Sequence, residues 1–237
     1  MAAGSKRVAL LGLTVVAALI FVGLGVWQVQ RLAWKTALIE QVESRAHAAP
    51  VPAPASIEGP ADAYRAVRVV GRFRHDQESL VKAVTDLGPG SWVMTPLETD
   101  RGFTVLVNRG FVPQQTVSDS GGTWDRPSGR VVTSGLIRLS EPKGGFLRAN
   151  DPVNNRWFSR DTEALARARA VAGPVAPYFI DAAADPASSW PRGGLTVIRF
   201  SNSHLIYALT WFGLAALALF AAWRVLRDRT RPTGDEG

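Results

Sequence analysis

Two stretches of the chain, 8–26 and 205–223, each run 19 residues without a charged side chain, and between them apolar residues recur in short alternating runs. A helix rises about 1.5 Å per residue, so either stretch crosses most of a bilayer core roughly 30 Å thick. Lys6 and Arg7 precede the first stretch. A cleaved signal peptide would carry an apolar core of about 7–15 residues and then small residues at the cleavage site. Here the run is longer and continues into Trp27-Gln28-Val29-Gln30-Arg31, while the Ala46-His47-Ala48 triplet lies far downstream. The pattern predicts a retained membrane helix over 8–27, then a helical stalk and linker over 28–60. Pro50, Pro52, Pro54 and Pro60 favour extended polyproline geometry in that linker. A second span is predicted over 205–223, followed by a basic tail over 224–237.

The segment between, 61–200, has the period of strands. In Val67-Arg68-Val69-Val70-Gly71-Arg72-Phe73, Val67, Val69 and Phe73 share one face and Arg68 and Arg72 the other. Further strands are predicted over 79–84, 92–95, 103–108, 130–139, 177–181 and 195–200. Leu87-Gly88-Pro89-Gly90 and Asp100-Arg101-Gly102 read as turns between them. One helix is predicted over 162–171, capped by Asp161 with Glu163 in its first turn. No internal repeat is visible. The predicted class is an α+β membrane protein, with N- and C-terminal transmembrane helices flanking a mostly antiparallel β extracytoplasmic domain. That domain carries one or two helices and forms a twisted sheet or open barrel.

Charge sets the orientation. The chain has a formal net charge of +7, and the segment 28–203 holds 21 Lys plus Arg against 17 Asp plus Glu. Arg224, Arg227, Arg229 and Arg231 follow the second apolar run, whereas Arg192 and Arg199 precede it. The positive-inside rule then puts the C-terminus in the cytoplasm, and two spans return the N-terminus to the same side. The expected location is a bacterial-type cell membrane, multi-pass, with both termini cytoplasmic and the central domain outside. Because the basic excess is partly topological, it gives little support for a nucleic-acid partner. Cysteine is absent, which removes covalent haem attachment, thiol redox chemistry and thiolate copper sites.

Candidate chemistry concentrates at the membrane edges. On a helix wheel His204, Tyr207, Ala208 and Trp211 share a face that Ala215, Ala218 and Ala222 continue. Such a face suits a flat hydrophobic ligand or a closely packed second helix. It also fits an imidazole in headgroup water beside an aromatic belt. Trp27, Gln28, Arg31, Trp34 and Lys35 form a comparable stripe, which ordinary interfacial anchoring explains equally well. Enzymatic signatures are thin. No Gly-x-Ser-x-Gly elbow, phosphate loop or dinucleotide fingerprint occurs. His75-Asp76-Gln77-Glu78 reads as a solvated turn, and Asn108-Arg109-Gly110 as a strand end or tight turn.

Gly25-Val26-Trp27-Gln28-Val29-Gln30-Arg31-Leu32-Ala33-Trp34-Lys35 is similar to the G-x-W-Q-x-x-R-x-x-W-K signature of the surfeit locus protein 1 family. Tyr64-Arg65-Ala66-Val67 with Gly71-Arg72-Phe73, Thr95-Pro96-Leu97, Val105-Leu106-Val107-Asn108-Arg109-Gly110 and Gly135-Leu136-Ile137-Arg138 resemble later blocks of that family in the same order. Asn202-x-His204-x-x-Tyr207-x-x-Thr210-Trp211-Phe212 resembles its second-span signature. Phe111 stands where the family commonly has Trp. The resemblance implies an assembly factor for aa3-type haem-copper cytochrome c oxidase, not an enzyme. It would bind haem a transiently and assist its insertion into the catalytic subunit. His204 is then the expected iron ligand, with Tyr207 and Trp211 on the apolar face and Arg31 and Lys35 facing the propionates. The implied partners are cytochrome c oxidase subunits, the haem a synthesis machinery and the membrane. A scaffold that grips oxidase subunits without touching haem is the alternative.

Overall fold

The computed structural model describes residues 2–119, 124–145, 148–186, 189–196, 200 and 202–227. The chain divides into two units, one of residues 1–40 with 199–237 and one of residues 41–198.

The first helix, α1 (Ala2–Ala46), is unbroken. No proline occurs before Pro50, so nothing interrupts its backbone ladder. The last helix, α4 (His204–Arg227), is the second that is long and apolar enough to cross a membrane. The tail residues Arg229 and Arg231, and Arg199 before α4, lie outside the described residues.

Between them the chain builds seven strands: β1 (Val51–Pro52), β2 (Ala66–Phe73), β3 (Ser79–Thr85), β4 (Gly88–Thr99), β5 (Thr104–Pro113), β6 (Val131–Leu139) and β7 (Val175–Ala182). Their order is β1-β2-β6-β7-β5-β4-β3, and β2 also pairs with β4 through Gly71–Thr99, Arg72–Glu98 and Phe73–Leu97. That extra pairing closes β2, β6, β7, β5 and β4 into a small barrel. Five of the pairings are antiparallel, and β1–β2 and β5–β7 are parallel. The expected mostly antiparallel domain is therefore present.

Period-two alternation decides which side chains fill the barrel. Val67, Val69, Val105, Val107, Tyr178 and Ile180 point inward with Leu97 and Ile137. Their neighbours Leu106 and Phe179 point outward, where Trp157 and Leu165 of α3 (Thr162–Ala168) cover them with Val81 and Met94. Strand β5 is thus buried on both faces from Thr104 to Val112. Each such aliphatic or aromatic side chain contributes about 1.5–3 kcal/mol.

Several expectations need correction. Gly88, Pro89 and Gly90 lie in β4 rather than in a turn. Val84 faces Pro89 in the register, and a position without an N–H costs nothing where the backbone points away from its partner. Asn108-Arg109-Gly110 lies inside β5, not at a strand end. Helix α3 stops at Ala168 rather than 171, because Ala170 turns to φ 50°, outside the helical region. A short helix, α2 (Gln114–Asp119), is the second of the one or two helices expected in the domain, at a position the sequence did not mark. The predicted strand over 195–200 does not form at residues 195, 196 and 200, and 197–199 lie outside the described residues. The Pro-rich stretch is more than a spacer. As β1 it closes one sheet edge, where missing N–H groups are tolerated, and Tyr178 Oη donates to Pro54 O at 2.5 Å.

Candidate functional site

Helices α1 and α4 meet along a seam written in steps of three and four. On α1 the covered positions include 11, 14, 18, 21, 25, 28, 32 and 35, with 17 and 24 beside them, and on α4 they include 204, 208, 211, 215, 218, 222 and 225, with 221 beside them. This heptad-like spacing keeps one stripe of each helix on its partner. The stripes are lined by small residues. Ala18, Ala208, Ala215 and Ala222 are between 2% and 6% exposed, and a Cβ on Gly25 would lie 2.5 Å from the Phe212 ring. Between helices in lipid, close van der Waals packing of small residues takes the place of hydrophobic driving force. Phe21 stacks on Trp211 with ring centroids 5.7 Å apart and planes at 26°.

One polar pair interrupts this apolar seam. Gln28 is buried, and its Oε1 lies 2.7 Å from Nδ1 of His204, the first residue of α4. An amide oxygen only accepts, so the imidazole donates through Nδ1–H and carries its lone pair on Nε2. Among the described residues Nε2 has no hydrogen-bond partner. Two residues earlier, Asn202 Oδ1 is buried and likewise without a partner. The pair suits a metal ligand, since a ligating histidine characteristically donates its second ring N–H to an oxygen.

The five side chains singled out in the sequence do not converge equally. His204 and Trp211 turn into the seam, and Lys35 lies on the same α1 stripe as Gln28, two turns further on. Tyr207, three residues after His204 and four before Trp211, is 55% exposed and does not share their cover. Arg31 is exposed, with its guanidinium 4.4 Å from the centroid of the Trp34 ring. Gln28 was visible as part of a motif but not as a site residue. Its signal was an amide at a seam position of an otherwise apolar stripe.

The β domain holds two buried carboxylates that sequence reasoning missed. Glu78 is not in a solvated turn. It accepts from Thr95 Oγ1 (3.0 Å), Trp124 Nε1 (3.2 Å), Arg126 (3.2 Å) and Arg109 (3.5 Å). Burial pushes the Arg109 guanidinium below its ordinary value despite that partner. Asp181 on β7 accepts from Asn108 Nδ2 (2.8 Å), Arg138 (2.9 Å), Thr196 Oγ1 (2.9 Å) and Arg160 (3.3 Å). Each carboxylate accepts from four donors, so both groups tie distant segments together. Nearby, burial alone would raise the Glu141 carboxyl, but its bonds to Arg160 hold it below the ordinary range. Among the described residues no cluster of three or more His, Cys, Asp or Glu could hold a metal ion.

Comparison with known proteins agrees with this layout. The sequence profile of the SURF1 family matches residues 15–216. Surfeit locus protein 1 of Mus musculus is 38% identical over 226 residues, covering 88% of this chain and 72% of that protein. Surfeit locus protein 1 of Homo sapiens is 40% identical over 213 residues, covering 82% and 70%. A SURF1-like protein of Drosophila melanogaster is 35% identical over 228 residues, covering 87% and 74%. The matched span takes in the whole barrel and the seam from Gln28 to His204, and the chain belongs to the SURF1 family.

Proposed function

We propose that this chain is an assembly factor for aa3-type haem-copper cytochrome c oxidase that binds haem a and assists its insertion into the catalytic subunit. The supporting observation is the Gln28–His204 hydrogen bond, which leaves an imidazole lone pair unused at the end of an apolar helix seam. Haem a, when bound, supplies an iron that accepts a neutral imidazole nitrogen as axial ligand. Gln28 holds the ring in the tautomer that offers Nε2 and limits its rotation. Trp211, backed by Phe21, presents flat apolar surface. Arg31 and Lys35 are the cations for the propionate groups, where charge-assisted bonds are strongest. The basic flanks of the two spans support an orientation with both termini in the cytoplasm of a cell-membrane protein and the β domain outside. Its partners are oxidase subunits and the haem a synthesis machinery. On this reading the chain makes and breaks no covalent bond.

The test is the absorption spectrum of the full chain purified from cells that make haem a. His204→Ala removes an interfacial side chain and opens no large core cavity, so folding and insertion survive. It should change the Soret and visible bands and lower haem retention. Gln28→Leu keeps the ligand but loses its orienting acceptor, and should weaken retention about tenfold. A His204→Ala spectrum equal to the unmodified protein at equal haem content overturns the axial-ligand assignment. The scaffold that grips oxidase subunits without haem then replaces it.

A further inference from the structure

We propose that the cleft beside β3 docks an extended acidic segment of a partner polypeptide, which adds to the open edge of that strand. The cleft encloses about 860 Å³ outside the barrel. Lys82, Arg126, Arg148, Arg156 and Arg169 line it against a single carboxylate, Glu78, whose oxygens are already occupied. Among the described residues Lys82, Arg148, Arg156 and Arg169 form no ion pair. Three of them are nonetheless held in place. Arg169 donates to Ser79 Oγ (2.8 Å) and Asn155 Oδ1 (2.9 Å), Lys82 to Gln114 Oε1 (2.8 Å), and the Arg148 guanidinium lies 5.5 Å from the Phe158 ring centroid. Held cations without an ion-pair partner are a recognition surface for negative charge, and for Lys82, Arg148 and Arg169 the ordering cost has already been met, while Arg156 adds charge beside Asp151.

The backbone says what kind of molecule carries that charge. Strand β3 ends the sheet, pairing with β4 on one side and meeting only an isolated bridge between Val81 and Trp157 on the other. On its other side Lys82 N–H donates to Trp157 O at 2.9 Å. Backbone direction repeats every two residues along a strand, so Val84 turns its N–H and C=O the same way, and it is 82% exposed. An open edge of this kind takes an added strand, with backbone bonds supplying affinity and side chains supplying choice. Edge cations commonly guard against self-pairing. Here they reject a second basic edge and select an acidic one by the same repulsion. A phosphate or a lipid headgroup would answer the arginines but leave the Val84 backbone unused. This surface is independent of the haem site, since none of its residues belongs to the helix seam.

The experiment uses the full chain in detergent micelles and fluorescence anisotropy of a labelled decapeptide alternating Glu and Thr, with a Lys-Thr counterpart. The acidic peptide should bind, the basic one should not, and added salt should weaken binding. Reversing two charges together, Arg148→Glu with Arg156→Glu, should weaken it about tenfold or more. Val84→Pro deletes an N–H that points away from β4, so the sheet keeps its ladder, and it should also abolish most of the binding. Unchanged circular dichroism and thermal midpoint establish that both variants fold. Equal binding of the two peptides, or full binding by folded Val84→Pro, overturns the proposal. Displacement of the peptide by millimolar inorganic phosphate or by phosphatidylglycerol vesicles also overturns it, because the surface then reads charge alone.

Discussion

The helix seam and the barrel both bury polar side chains, but they treat them in opposite ways. In the β domain Asp181 accepts from four donors and Glu78 from four, so both carboxylates are compensated. In the seam the single pair Gln28–His204 satisfies one ring nitrogen and leaves the other open. A carboxylate taken out of water must be fully compensated or the fold does not form. A neutral imidazole carries no such demand, so it can be positioned and still keep a lone pair available. Saturation marks the two carboxylates as structural, and the unused lone pair of His204 is the feature on which the proposed haem site rests.

The sharpest way to break this contrast is to remove the most saturated group. Asp181→Ala leaves Arg138 and Arg160 with Glu141 as their remaining carboxylate and buried Asn108 Nδ2 without its acceptor, and unfolding of the β domain in denaturant should become easier by about 3–5 kcal/mol. A loss below about 1 kcal/mol, the scale of an exposed ion pair, would mean that the cluster is not structural.

Two glycines sharpen the comparison at the level of packing. Gly110 has φ 135° and lies in β5, and a Cβ there would sit 2.2 Å from the Arg192 backbone. The atoms nearest to a Cβ on Gly25 belong to the Phe212 side chain, which is 37% exposed, rather than to backbone. Gly110→Ala should cost about 2–4 kcal/mol, because both the conformation and the wall oppose it. Gly25→Ala should cost less than half of that, read by cross-linking between α1 and α4 across a denaturant series. Equal costs would show that the seam is as unyielding as the barrel.

The smallest expected effect concerns pH. Arg160 holds Glu141 below the ordinary value of 4.5, so the folded protein releases this proton more readily than the unfolded chain. The resulting stability is fully present above that ordinary value and fades as pH falls through the lowered one. The Glu141 side chain is 39% exposed, so solvent screening limits the contribution to less than about 1 kcal/mol. Glu141→Gln should flatten the acid side of the stability profile and leave the neutral side nearly unchanged. A profile as steep as that of the unmodified protein would assign the slope to other carboxylates.

Much of the architecture was legible in the sequence because its signals are local. A 19-residue uncharged run and a strand that alternates such as 67–73 declare themselves within one window of residues. Asp161 likewise announced the start of α3, and its side chain accepts from Ala164 N at 3.1 Å. Barrel closure was out of reach, since the β2–β4 pairing joins residues 71–73 to 97–99 through backbone groups that carry no sequence label. Charged residues misled for a related reason. Glu78 looked like part of a polar turn, and only the arrival of Thr95, Arg109, Trp124 and Arg126 from distant segments makes its burial possible. His204 and Trp211 stood out by composition and helical period alone. Which of their neighbours shared the seam was decided by packing: Tyr207 turned outward, and Gln28, 176 residues away in sequence, became the partner of His204. Periodicity fixes which face a side chain occupies on its own helix, but only the tertiary structure brings a donor on one helix within hydrogen-bond reach of an acceptor on another.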